Sequence, residues 1–218
     1  MDGDIFGFII TVVLVTVSGA LAPGPLFFRV ISHGRKSGAR GGLAFSIGHT
    51  LFEFSLVLVL AFIWGIGVTQ IASKSAMDFF EGIIGGLALY AFGAIHIYES
   101  AKSKAADYQK ETKLQKVKHP LVLGLAYTSL NPFFIVWWLT AGLTLIGDAL
   151  KIASFVGVLI MYVAHVWMDY VWLTATAYLA KKGANIIGSK GYRILIALSG
   201  AFLICFGTYF IVKVLTIP

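Results

Sequence analysis

Residues 5–31 read IFGFIITVVLVTVSGALAPGPLFFRVI, 27 positions with a single charged residue, Arg29. At about 1.5 Å per residue such a run reaches roughly 40 Å as a helix, more than the roughly 30 Å hydrocarbon core of a bilayer. It predicts a membrane span with a defect inside it. Pro23 and Pro25 bring no backbone N–H, and Gly24 between them admits dihedrals that other residues avoid, so helical hydrogen bonding must fail there. Unpaired backbone groups are costly in lipid, so the break is expected to face protein or a water-filled cavity. Broken helices of this kind are where many membrane transporters hold substrate or coupling ions, and Arg29 close behind the break favours that role over a packing kink.

The rest of the chain agrees with a membrane setting. Hydrophobic residues make up 58% of the 218 and charged residues 12%, against about 25% charged in a soluble domain. The acidic start Met1-Asp2-Gly3-Asp4 has no basic n-region, so the first apolar run is expected to be retained as a span. Further runs of spanning length lie at 41–64, 79–98, 121–146, 152–180 and 194–212. The expected fold is an all-α integral membrane protein of six transmembrane helices. With the N-terminus outside, the inner side holds Arg29, Arg35, Lys36, Arg40, Lys102, Lys104, Lys110, Lys113, Lys116, Lys118, Lys181, Lys182, Lys190 and Arg193. Only Lys74, Lys151 and Lys213 are left for the outer side, so the positive-inside rule puts both termini outside. The net charge of +7 is thereby topological, and no nucleic-acid partner is implied. Cys205 is alone in the chain, excluding an internal disulfide, and reads as a small packing residue.

The lysine-rich segment 99–120 divides the chain into halves, 5–98 and 121–212, that resemble each other. Gly86 and Gly93 in the third run answer Gly200 and Gly207 in the sixth, each pair seven apart on one helix face, a spacing suited to close packing. His49 with Glu53 in the second run answers His165 with Asp169 in the fifth, and the proline break at Pro23-Gly24-Pro25 answers Asn131-Pro132 in the fourth. Three spans per half is an odd number, so the halves enter the membrane in opposite senses: two inverted three-helix repeats in one transport domain, with helices 1 and 4 broken.

His49 and Glu53, like His165 and Asp169, stand four apart and share a helix face near mid-membrane, where ionisable groups turn inward and are functional. With no nucleotide-binding loop, transport must draw on an ion gradient, and these four are the candidates for proton coupling. Two imidazoles and two carboxylates also suit a divalent metal ion, so metal efflux is the alternative, while two internal His–acid pairs that pin the bundle is the plainer one. No bound metal or cofactor is assigned. The motifs of zinc proteases, serine hydrolases and dinucleotide enzymes are absent, so the chain is not expected to be an enzyme, and an intramembrane hydrolase is the weakest reading. Trp137 and Trp138 lie near the middle of the fourth run. On a regular helix at most one adjacent ring faces inward; Trp138 is assigned to a cavity wall, and lipid contact suits the other. Trp64, Tyr98, Tyr178 and Tyr192 sit near span ends, where aromatic belts are expected.

Several of these features resemble the LysE-type amino-acid exporter family, which includes the homoserine and threonine efflux branch. The resemblance runs over nearly the whole chain. It is carried by Ala22-Pro23-Gly24-Pro25, by the basic turn Gly34-Arg35-Lys36-Ser37-Gly38, by Gly85 to Gly93, by Asn131-Pro132 and by Asp169-Tyr170-Val171-Trp172. It implies proton- or gradient-driven export of a small amino acid or similar metabolite across the cytoplasmic membrane, with the lipid bilayer as surroundings. The freed backbone groups of the two breaks independently place the substrate between them, among Pro23, Gly24, Pro25, Asn131, Pro132 and Trp138. Self-association stays open. Phe133 and Phe134 stand where the family often carries a basic residue, and His49 with Glu53 is a more polar pair than the family leads one to expect. Related branches move metal ions.

Overall fold

The computed structural model describes residues 5–22, 24–68, 79, 83–102, 119–183 and 189–216, which are helical apart from short turns and contain no strand. Pro23, most of the linker 99–120 and Tyr192's side chain lie outside the described residues. The helices are α1 (Ile5–Ala20), α2 (Pro25–Ser37), α3 (Ala39–Phe62), α4 (Gly85–Lys102), α5 (Pro120–Ser129), α6 (Pro132–Trp137), α7 (Leu143–Lys181) and α8 (Ser189–Thr216). Wider π-helical turns follow α3 at Ile63–Val68 and α6 at Trp138–Gly142.

Ala39–Gly65, Phe133–Lys181 and Arg193–Thr216 are each long and apolar enough to cross a membrane. α1 and α2 make a fourth crossing if taken as one span, bent by 72° at the break the prolines impose. The run Phe133–Lys181 is itself folded back. Ala153 (φ −148°, ψ 32°) and Ser154 (φ 51°, ψ −142°) leave helical dihedrals, and a Cβ placed on Gly157 would strike the carbonyl oxygen of Ala149. In an unbroken helix those residues would stand about 12 Å apart. The chain therefore reverses between limbs 143–152 and 155–181.

Helix association in lipid gains nothing from excluding water and depends on close packing, which small residues permit. α4 lies along α8, and α3 lies along both α5 and α7, while α1 and α2 cross α7. Along the α4–α8 seam a Cβ on Gly86 would come within 2.9 Å of Gly207's carbonyl oxygen, and one on Gly93 within 2.7 Å of Gly200's. Gly48 and Gly124 bring α3 and α5 together in the same way, each facing backbone of the other helix. Gly38 (φ 62°) ends α2 by donating to the Gly34 carbonyl at 2.8 Å and turns the chain into α3, a conformation that suits glycine.

The outward faces are apolar and the polar residues point in, the reverse of a soluble helix. On α3, Leu43, Ile47, Leu51 and Leu58 are exposed, whereas Ser46, His49 and Glu53 are buried. Two positions differ from the reading of the sequence. Trp64 is buried, because the π-helical turn carries it into the bundle instead of leaving it at a membrane belt. Cys205 is exposed on the outer face of α8 and fills no interior gap.

Candidate functional site

α3 and the second limb of α7 face each other across the interior, and their four ionisable groups meet there. Glu53 is 1% exposed, His165 4%, and His49 and Asp169 each 6%. They do not form two separate i,i+4 pairs. Glu53 Oε1 lies 3.2 Å from His49 Nε2 and 3.2 Å from His165 Nε2, so a histidine from each half of the chain closes on one oxygen. Trp138 donates its indole N–H to the same oxygen at 3.2 Å, and Tyr162 donates its hydroxyl to Oε2, also at 3.2 Å.

The far nitrogens of the imidazoles are fixed just as reciprocally. His165 Nδ1 meets Thr16 Oγ1 of α1 at 2.9 Å, and His49 Nδ1 meets Thr128 Oγ1 of α5 at 2.8 Å. Each threonine already donates its hydroxyl proton to the carbonyl one turn back, Thr16 to Val12 and Thr128 to Gly124, both at 2.7 Å. A hydroxyl has one proton to give, so each must accept from the imidazole, and both histidines carry a proton on Nδ1. Their Nε2 edges are thereby aimed at Glu53, and a hydrogen bond along each Nε2···Oε1 contact needs one further proton.

Asp169 is left over. Its Oδ2 lies 3.6 Å from His165 Nε2 and 3.8 Å from His49 Nε2, is buried, and has no hydrogen-bond partner. A buried acceptor without a donor is costly, which sets this oxygen apart from those of Glu53.

These groups line a cavity of about 250 Å³ together with Gly24, Pro25, Asn131, Trp137, Trp138 and Trp172. Of the residues singled out from sequence, Gly24, Pro25, Asn131, Trp138, His49, Glu53, His165 and Asp169 all reach this cavity; Pro132 supplies the start of α6, and Pro23 is outside the described residues. The two breaks are finished differently. At α6 the Asn131 side chain accepts the Phe133 N–H through Oδ1 at 3.1 Å, a self-supplied N-cap. At α2 the N-cap is Gly24, so no side chain caps the first-turn N–H groups of Leu26 and Phe27. Because Oδ1 of Asn131 is engaged, its Nδ2 is the atom turned to Gly24, 3.5 Å from where a Cβ would sit. Trp172 Nε1 is a further buried donor with no partner, and its ring stacks on Phe27 with centroids 5.5 Å apart.

Both adjacent indoles face inward, contrary to the expectation for a regular helix. Trp138 is fully buried on Glu53, and Trp137 donates to Ser18 Oγ at 3.2 Å while its ring lies 5.4 Å from that of His165. The π-helical turn that opens at Trp138 widens the local step. The sequence reading also passed over His96, which lines the cavity with Nδ1 3.1 Å from Ser199 Oγ. Its signal was available: an ionisable residue inside an apolar run. Thr16, Thr128 and Tyr162 gave none, since a single hydroxyl in a span is common.

One atom each from His49, Glu53 and Asp169 falls within 4.8 Å of the others, close enough for a small cation to be considered. Glu53 Oε1 is already met by three nitrogens at hydrogen-bond length. No curated protein and no solved structure matched the chain. A family model described as LysE type translocator matches residues 17–214, a stretch that holds both breaks and all four groups of the polar centre, and the chain belongs to that family.

Proposed function

We propose that the protein is a secondary transporter that exports a small amino acid or related metabolite across the cytoplasmic membrane in exchange for protons. Membership of a translocator family makes it a multi-pass membrane protein that moves small molecules. The observation that carries the finer reading is the unpartnered Asp169 Oδ2 in a cavity whose neighbouring helix start is uncapped. An ammonium group and a proton are alternative occupants of that oxygen, so loading one releases the other, which is the logic of antiport. Glu53 keeps both histidines in place as the proton's local store. The carboxylate of the substrate meets the first turn of α2 after Pro23-Gly24-Pro25, with Asn131, ahead of Pro132, beside it and Trp138 as a wall.

The arrangement we propose around this site is six spans in two inverted three-helix repeats, 5–98 and 121–212, with the linker 99–120 in the cytoplasm and both termini outside. Two features support it: the reversal at Ala153–Ser154, and the way α1 and α2 lean on α7 as α5 leans on α3. Cysteine accessibility labelling in intact cells tests the orientation, and a linker reached from outside ends it.

Transport is tested in proteoliposomes with an imposed pH gradient. Glu53→Gln and Asp169→Asn are expected to stop gradient-driven net efflux, with exchange surviving in Glu53→Gln because exchange moves no net proton. Parental efflux in both variants overturns the coupling. Tight zinc binding lost on replacing any of the four groups moves the centre to metal transport instead.

A further inference from the structure

We infer that the side chain of the substrate is apolar: the cavity accepts a zwitterionic amino acid with a leucine- to phenylalanine-like side chain and turns away lysine and glutamate. The inference rests on the exporter reading above and concerns only what the cavity walls admit.

Count the charges that the lining can answer. Glu53 is saturated by Trp138, Tyr162 and the two histidines, so among the described lining residues the carboxylate left for an ammonium group is Asp169, through Oδ2. On the donor side the uncapped N–H groups of Leu26 and Phe27, Trp172 Nε1 and Asn131 Nδ2 gather at the break, and no lysine or arginine is among the lining residues. Trp172, stacked on Phe27, follows Asp169 by three residues, just under one helical turn, which puts both on the same side of α7. Acceptor and donors thus line one cavity, as an ammonium and a carboxylate carried on the same carbon require. Among the described lining residues no side chain of fixed charge remains to pair a third charge, and the one titratable group left is His96, held through Nδ1 by Ser199.

The rest of the wall is hydrocarbon and aromatic. Phe27, Leu89, Phe133, Phe134, Ile196 and Leu203 come from four helices and surround the space left by the charged end. The hydroxyls of Ser18 and Thr140 are turned to carbonyls of their own helices, Val15 at 2.7 Å and Val136 at 2.8 Å, and His96 is tied through Nδ1 to Ser199. A volume of about 250 Å³ lies below the roughly 300–1,000 Å³ of drug-sized pockets and suits a single amino acid. A charged substrate side chain would be buried there unpaired, which is far more costly than one methylene too many or too few.

The experiment is counterflow in proteoliposomes loaded with each amino acid in turn, using the wild-type protein. Leucine, methionine and phenylalanine should exchange at least about 100-fold faster than lysine or glutamate, the scale on which a pocket rejects a group it cannot pair. Lysine or glutamate exchanging within about threefold of leucine overturns the inference and leaves the exporter reading standing. Exchange of no amino acid at all overturns both. Leu203→Glu should gain lysine counterflow by supplying the missing partner. Should that variant not fold, thermal unfolding of the wild-type protein in detergent decides: leucine must raise Tm and lysine must not, and equal shifts overturn the inference.

Discussion

The helix start at Pro25 and the helix start at Pro132 are made from the same chemistry, a proline that ends one helix and opens the next within an apolar run. At Pro132 the preceding residue is Asn131, which spends its carbonyl oxygen on the Phe133 N–H. At Pro25 the preceding residue is Gly24, and the equivalent donors have no cap. One side chain separates a break finished within the protein from one left uncapped. The difference teaches that two proline breaks of the same chemistry can present unlike ends to one cavity.

The strongest way to break the comparison is to fill the uncapped end. Gly24→Leu should cut transport by about 100-fold or more with the folded protein retained by gel filtration, because the new side chain is driven towards Asn131 Nδ2 and over the first turn of α2. Activity near the parental level would reduce the first break to a kink. Asn131→Ala should act mainly on the fold, costing about 1 kcal/mol for the lost cap and slowing transport only severalfold. Asn131→Asp sharpens the contrast further: it keeps the capping oxygen, so Tm should hold, but puts a negative charge where the substrate carboxylate is to sit, so apparent affinity should fall by about tenfold. An Asp variant indistinguishable from Ala in both readouts would deny Nδ2 any part in binding. Smallest are Thr16→Val and Thr128→Val, each leaving one Nδ1–H without its acceptor. They should slow net efflux by a similar severalfold factor and spare exchange, and unequal effects would show that the two histidines do not share the load.

Much of this was legible in the sequence because it depends on spacing along single helices. The offset of four from His49 to Glu53, the offset of seven from Gly86 to Gly93, and prolines inside apolar runs all speak of local geometry. What escaped notice depends on register between helices. His165 pairs with Glu53 more closely than with Asp169, its own i+4 neighbour, because α3 and α7 come together at that depth. The π-helical turns at Ile63–Val68 and Trp138–Gly142 carry no proline to mark them, yet Trp64 and Trp138 within them are buried. The unequal caps were written in Gly24 and Asn131 throughout, and only the shared cavity made their difference matter.

The glycine seam between α4 and α8 bears on how the protein moves. Two glycines on each helix face two on the other, with carbonyl oxygens where side chains would stand. Such a contact is keyed: sliding one helix past the other by a turn would drive Leu89 or Ile204 side chains into backbone, with no room to receive them. α4 and α8 therefore travel as one plate. For the transport proposed above, the expected motion is a rotation of that plate against the broken helices: a disulfide locking the seam should leave transport running, while one tying α8 to α1 should stall it.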